Sequence, residues 1–516
     1  MIKATNFKEG NNTMIKLFIT ALLLLGFNAV AAQENKPNIV VIFADDLGFG
    51  DVGAYRELYP GVDDKAQAYK HTPNIDSLAM QGVRFTRAYA TSWCAPSRQV
   101  LLSGQWVGRA DAYEHPWIGA QLRKAGYVTS MVGKSHGNMP TTKVFKNVNP
   151  QTAEFDDGLF FNGGMRSYYL KKGDTFPGRK GFKPFKFKAK GGEYVTDVFT
   201  DHAVGFIERN AKKPFMLYLP YTAPHTPLEA KPDDLKDLFP NTFAAMSEQQ
   251  IMATAKKTGN RELMDKHYSA MVYGMDKSIG RIIETLRKEA VLENTIIVFT
   301  SDNGSRLGSN YPLAGHKWDG LEGGVRVPFI IWSNDIKLSK RSGAVFDGLV
   351  SLADISPTLV EAATGKYEQP TDGMALLSYI AQQKAWPAER EYLISNASRG
   401  PHLTGVAEFG GEQSIILQKH NDSRVMQHVY YKNDEKIMIW NPKGSDELGA
   451  VYRKIPDVNG NAQAQKLMKE KTPTANQVTD EKLLTDLVEK IKASKGTLLP
   501  NWTGGNEPDN KWWFMQ

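Results

Sequence analysis

The stretch "NIVVIFADD", Asn38 to Asp46, decides how the chain is read. Its first seven residues run almost wholly apolar, without alternation, and an aspartate pair follows at once. A half-buried strand alternates; an unbroken apolar run suits a strand covered on both faces. Three later stretches repeat the pattern. Tyr127 to Val132 leads into Gly133-Lys134-Ser135-His136, and Phe215 to Leu219 into Tyr221 and Pro224-His225. Thr295 to Thr300 leads into Ser301-Asp302-Asn303-Gly304. Open α/β sheets place ligand sites beyond the carboxyl ends of their strands. Four such runs, each delivering charged or metal-binding groups, predict one shared site.

Helical patterns fill the gaps, so the class is α/β with a mostly parallel sheet. Pro73 to Met80 has proline in its first turn and stops before Gly82. Trp117 to Ala125 stops at Gly126. His267 to Ala290 places Met271, Met275, Ile279, Ile282 and Leu286 on one face. A chain of 516 residues is long enough for two domains. The expected division is a signal peptide over 1–32, a catalytic domain over 33–385 and a smaller α+β domain over 386–516. In the last, Gln413 to Lys419, Arg424 to Lys432 and Lys436 to Trp440 read as short antiparallel strands. Asp480 caps a helical pattern that would pack on them.

The export reading rests on Lys16, the apolar run Leu17 to Leu25 and the small-residue pattern Ala29-Val30-Ala31. That run is short against the roughly 20 apolar residues a membrane span needs. A periplasmic or secreted protein without stable membrane insertion is expected, an uncleaved anchor being the alternative. Exported proteins often carry disulfides, yet Cys94 is the only cysteine. A free cysteine is ordinarily a small buried hydrophobe. Here Pro96 fits the first turn of a helix that Arg98 to Leu102 continue as far as Gly104. Cys94 then lies at a helix N-terminus, which favours anions, and Arg98 adds a guanidinium fork.

Cys94-Ala95-Pro96-Ser97-Arg98, followed by Ser103-Gly104, resembles the signature of the formylglycine-dependent sulfatases. The other strand ends resemble that family in its own order. Asp45-Asp46 and Asp302-Asn303 match its two metal pairs, and Gly133-Lys134-Ser135-His136 its glycine-lysine-x-histidine box. Pro224-His225 matches its proline-histidine segment, and Lys317 before Glu322-Gly323-Gly324 its last lysine box. The chain departs from the pattern at Ser135, where tryptophan is frequent, and at Gly137-Asn138. The resemblance spans roughly Pro37 to Asp372 and implies an alkaline phosphatase-like α/β/α sandwich.

Asp45, Asp46, Asp302 and Asn303 offer hard oxygen ligands that suit Ca²⁺ better than Zn²⁺. An acidic pair alone serves equally well as a helix cap. The resemblance favours a single calcium ion, held with the help of residue 94. It further implies that Cys94 is oxidised by a formylglycine-generating maturation enzyme. The hydrated aldehyde then attacks sulfur, and loss of a proton from its second hydroxyl expels sulfate. By the same resemblance Arg98 and Lys134 hold the diol, and His136 is the base that collapses the sulfated intermediate. His225 and Lys317 bind sulfate oxygens, with His225 the favoured acid for the leaving alcohol. His71, His115, His202, His267, His402, His420 and His428 read as structural, and His316 stays open because it adjoins Lys317.

Net charge is +7, and "KKGDTFPGRKGFKPFKFKAK", Lys171 to Lys190, holds eight basic residues against one aspartate. Phe176, Phe182, Phe185 and Phe187 interleave them. Such a stretch suits a sulfated sugar chain by charge and ring stacking, or else is a lysine-protected edge strand. It lacks a nucleic-acid-binding motif. The expected substrate is a sulfated polysaccharide or its oligosaccharides: carrageenan or another galactan, a fucan, an ulvan or a glycosaminoglycan. Two rival readings are a phosphonate or phosphate ester hydrolase of the same superfamily and a non-enzymatic binder of sulfated glycans. Nothing in the sequence sets an oligomeric state.

Overall fold

Strand β1, Asn38–Ala44, lies inside an eight-stranded sheet with both faces covered, as its apolar run demands. The computed structural model describes residues 36–59, 68–105, 116–135, 155–161, 167–176, 187–255, 259–313, 315–318, 322–338, 340–369 and 371–381. Five further strands between 392 and 453 are described as backbone.

The other strands of the main sheet are β2 (Val83–Phe85), β4 (Val128–Lys134), β5 (Asp157–Phe161), β6 (Phe215–Pro220), β7 (Thr295–Ser301), β8 (Phe329–Ser333) and β9 (Ala344–Phe346). The short strands β3 (Ala88–Tyr89) and β10 (Val350–Ser351) pair separately. The order is β5-β4-β6-β1-β7-β8-β2-β9. From β5 across to β7 every pairing is parallel, while β8 runs antiparallel to both β7 and β2. Ala44 of β1 stands beside Ser301 of β7, and Phe43 beside Pro220 of β6. The residues just past β1, β6 and β7 therefore leave the sheet at one edge.

The odd and even residues of β1 enter different cores. Val40, Ile42 and Ala44 pack with one cluster, Ile39, Val41 and Phe43 with the other. The first cluster takes in helices α1 (Pro73–Gln81), α4 (Val195–Asn210) and α5 (Arg261–Lys288). The second takes in α2 (Cys94–Ser103), α3 (Ile118–Lys124) and α6 (Ile355–Thr364). Two helical layers thus enclose the sheet, giving the expected α/β/α sandwich. Helix α5 begins six residues before the expected His267, because the Asn260 side chain caps it by accepting from Leu263 N–H at 3.1 Å. The expected stripe from Met271 to Leu286 is buried.

Strands β11 (Tyr392–Ala397), β12 (Glu412–Gln418), β13 (Met426–Lys432), β14 (Lys436–Trp440) and β15 (Val451–Arg453) form a separate antiparallel sheet in sequence order. The helix expected after Asp480, the signal segment and the paired tryptophans Trp512 and Trp513 lie outside the described residues. Among the described residues no helix is long and apolar enough to cross a membrane.

Candidate active site

Asp45 and Asp46 follow β1 directly and are both buried. Asp46 takes a left-handed backbone, φ 68°, unusual for any residue but glycine. Its N–H donates to Asp302 Oδ1 at 3.0 Å, so one end-group of β7 fixes one end-group of β1. Asn303 reinforces the join by donating its amide to Asp46 Oδ1 at 2.8 Å. Gly304 then passes so close to the segment after Lys317 that a Cβ would stand 1.7 Å from the Gly323 carbonyl oxygen. The DNG and EGG stretches are therefore two halves of one backbone contact.

Cys94 opens α2, as expected from Pro96, and Gly104 ends that helix at φ 72°. Ser97 and Thr91 shape the entry: Thr91 N–H donates to Ser97 Oγ at 3.0 Å, and the two hydroxyls lie 2.7 Å apart. One turn on, Arg98 is fully buried, donating to Asp302 Oδ2 at 2.7 Å and to the Lys134 carbonyl at 3.0 Å. Lys134 closes β4 and donates to Asp45 Oδ2. It reaches that position because Gly133, at φ 134°, lets β4 press on β6; a Cβ there would meet the Pro220 carbonyl at 2.0 Å. Lys317 pairs with Asp46 Oδ1 at 2.6 Å and points at Cys94 Sγ at 3.5 Å. His225 Nε2 stands 3.6 Å from Asp46 Oδ2, and its Nδ1 lies 2.7 Å from the Thr226 carbonyl.

Three carboxylates (Asp45, Asp46, Asp302) thus meet three cations (Arg98, Lys134, Lys317) in a buried site. Burial opposes ionisation of Asp46, but Lys317 and then His225 hold its carboxyl well below the usual range. Burial and repulsion from Asp45 push Asp302 up to about 7. Burial also pushes the Cys94 thiol up to about 11, against the pull of Lys134 and Lys317. A thiol so protonated is a poor nucleophile. For His225, burial and then Lys317 push the imidazole down to about 3. Facing a carbonyl, Nδ1 carries the proton of the neutral ring, which leaves Nε2 unprotonated and able to take up a proton.

Asp45 Oδ1 and Asn303 Oδ1 are buried without a hydrogen-bond partner, although the Arg98 guanidinium lies 3.6 Å from the former. Unsatisfied buried oxygens at adjoining strand ends suit a hard cation. Among the described residues, one ligand atom from each of Asp45, Asp46, Cys94 and His225 lies within 4.8 Å of the others. Asp302 stands outside that group, with one oxygen on Asp46 N–H and the other on Arg98. Two orphaned oxygens in a carboxylate and amide set favour an oxygen-ligated ion over a mixed nitrogen and sulfur tetrad.

The structure therefore gathers Asp45, Asp46, Cys94, Arg98, Lys134, His225, Lys317, Asp302 and Asn303. His136, along with His115, His402 and His420, lies outside the described residues, as does the side chain of His428. His316 Nδ1 faces the Lys317 carbonyl at 2.9 Å. Two supporting tyrosines carried no sequence signal beyond their apolar setting. The Tyr268 hydroxyl lies 3.1 Å from the Asp46 carbonyl and 2.6 Å from Asp51 Oδ2. The Tyr168 hydroxyl lies 2.8 Å from the carbonyls of both Thr222 and His225, tying down the histidine loop.

A sequence model of the Sulfatase family matches residues 37–366. An uncharacterized sulfatase, YdeN, of Escherichia coli K12 is 30% identical over 407 residues, 68% of this chain and 67% of its own. Human N-acetylgalactosamine-6-sulfatase is 28% identical over 400 residues, covering 69% of this chain and 68% of its own. Among solved structures, Ps i-CgsB in complex with k-i-k-neocarrahexaose superposes with a TM-score of 0.64 at 26% identity. That match covers 91% of this chain and 95% of Ps i-CgsB. With the strand-end cluster in place and the family match spanning the α/β/α domain, the chain is a sulfuric ester hydrolase and belongs to the sulfatase family of the alkaline phosphatase-like superfamily.

Proposed function

We infer that this sulfatase is an exported enzyme that removes sulfate from a sulfated polysaccharide or its oligosaccharides, using a formylglycine made from Cys94 and one calcium ion. The observation that carries the reading is the pair of orphaned buried oxygens, Asp45 Oδ1 and Asn303 Oδ1, beside a buried cysteine too basic to attack as a thiolate. Asp45, Asp46, Asp302 and Asn303, with residue 94, would hold the calcium. When bound, the ion would supply Lewis acidity toward oxygen. The three carboxylates and three cations already balance, so a divalent ion leaves the site net positive, as a sulfate ester requires.

The chain's own groups divide the rest. Arg98 is clamped between Asp302 and the Lys134 carbonyl, so it fixes the first turn of α2 and the position of residue 94. Lys317 spans Asp46 and residue 94, placing a charge where a sulfate oxygen would lie. Neutral His225 accepts at Nε2. It gives up a proton to the leaving alcohol only after acquiring one, which a bound anion favours. His136 keeps its proposed role as the base. Carrageenan enters as a substrate class through the similarity to Ps i-CgsB in complex with k-i-k-neocarrahexaose, and a 6-sulfated N-acetylgalactosamine through that to N-acetylgalactosamine-6-sulfatase.

The test starts with peptide mass over Cys94, to establish the aldehyde. Matured protein is then given matched sulfate and phosphate esters and a panel of sulfated oligosaccharides. Sulfate release should fall at least a hundredfold in Cys94→Ala and in Asp302→Ala. Undiminished release from Asp302→Ala, or a higher kcat/KM on the phosphate ester, overturns the reading.

A further inference from the structure

Lys317 is buried, yet Trp318 beside it is half-buried. The backbone therefore passes from the floor of the site to its rim within one residue. Trp318 does so in a left-handed conformation, φ 75°, which is strained for a non-glycine residue. Its N–H donates to the Ser92 carbonyl at 2.7 Å, and Ser92 lies two residues before Cys94. The Trp318 backbone is thus tied to the segment before Cys94, and its ring lies close to the Lys317 ammonium. Lys317 Nζ is 5.4 Å from the ring centroid and 3.5 Å from Cys94 Sγ, so the ring lies within about 9 Å of that sulfur. On the sulfated-glycan reading, the sugar carrying the scissile sulfate would lie near this ring.

The guanidinium of Arg306, on the loop leaving Asp302-Asn303-Gly304, lies 4.9 Å from the same ring centroid. Arg306 is exposed, and among the described residues no carboxylate pairs with it. A cation resting on an aromatic face at the rim of an anion site leaves its N–H donors available to a ligand. We propose that Trp318 and Arg306 form a sugar subsite, in which the indole packs against the ring bearing the scissile sulfate and Arg306 recognises a second anionic group. The ligand class is then a sugar chain with more than one negative charge, by sulfate or carboxylate, rather than an isolated sulfate ester. This rests on the sulfated-glycan reading above.

The experiment uses calcium-loaded full chain carrying Cys94→Ser, so that ligands bind without turnover, and calorimetry. The probes are carrageenan, heparin and chondroitin sulfate oligosaccharides, each in singly and multiply sulfated form. Arg306→Ala should weaken the multiply sulfated form at least tenfold more than its singly sulfated counterpart, and Arg306→Lys should recover part of the difference. Trp318→Ala should weaken both forms, with Trp318→Phe intermediate. Equal effects of Arg306→Ala on the two forms, no effect on either, or failure of the parent to bind any probe overturns the subsite. Sulfate release by matured parent is read separately. Binding that depends on Arg306 without any release keeps the subsite and overturns the proposed function instead.

Discussion

Replacing Tyr268 with phenylalanine removes one oxygen from beneath the proposed metal site and leaves the packing of the ring intact. In the native protein that hydroxyl lies 2.6 Å from Asp51 Oδ2, 3.1 Å from the Asp46 carbonyl and 3.0 Å from Ser305 Oγ. All of these groups are buried. Phenylalanine leaves Asp51 with only the N–H donors of Gly48 and Ser309. A buried acceptor stripped of a partner costs about 1–3 kcal/mol, more for a charged one, so a loss of about 3 kcal/mol is expected. Burial already pushes the Asp51 carboxyl up to about 7, and the Tyr268 hydrogen bond is the largest effect pulling it down. Losing that bond drives it higher. For an acid raised above its unfolded value, the folded state binds the extra proton, so stability falls as pH rises from about 4 through the folded pKa. In Tyr268→Phe this decline should therefore extend to higher pH. Urea unfolding at pH 6, 7 and 8, with and without calcium, measures both effects. Calcium affinity should fall as well, because the Asp46 backbone loses its tie. A midpoint and slope unchanged from the parent at all three pH values would show that the Tyr268 hydroxyl does not support Asp51.

His267 is pushed down to about 4 by burial, with Nδ1 facing the Ala230 N–H at 3.3 Å and Nε2 facing the Thr254 hydroxyl at 2.8 Å. Its contribution is present above the unfolded pKa near 6.5 and is lost as pH falls toward 4, to an extent of about 3 kcal/mol at most. His267→Gln should flatten the acid limb of a stability–pH curve, and an unaltered limb would count against this. Gly304→Ala places a Cβ 1.7 Å from the Gly323 carbonyl. It should lower soluble yield or cost at least about 3 kcal/mol, and normal stability by thermal melting would contradict the close approach. Lys317→Met leaves Asp46 buried without its ammonium partner. It should destabilise the calcium-free protein by about 3–5 kcal/mol, with much of that recovered on adding calcium. Equal losses in the presence and absence of calcium would argue against Asp46 as a ligand.

Sequence alone determined the layers, the strand ends and the start of α2, because each is written in local chemistry. An unbroken apolar run such as Asn38 to Ala44 can only be a doubly covered strand or a buried helix segment, and its β-branched residues decide between them. Pro96 and Gly104 bracket a helix by their backbone preferences alone. Resemblance of Cys94-Ala95-Pro96-Ser97-Arg98 to a signature then supplied a chemistry that spacing could not. Tertiary structure decided which charges meet. Arg98 and Asp302 are 204 residues apart and touch only because α2 packs beneath the edge shared by β1 and β7. It also decided that Lys134 and Lys317 neutralise Asp45 and Asp46. Tyr268, Tyr168, Trp318 and Arg306 escaped the sequence reading for the same reason. An aromatic or basic residue has no periodic or motif signal for the partner that its polar atom or ring face finds across the fold. That pairing is set by long-range packing, which no local pattern encodes.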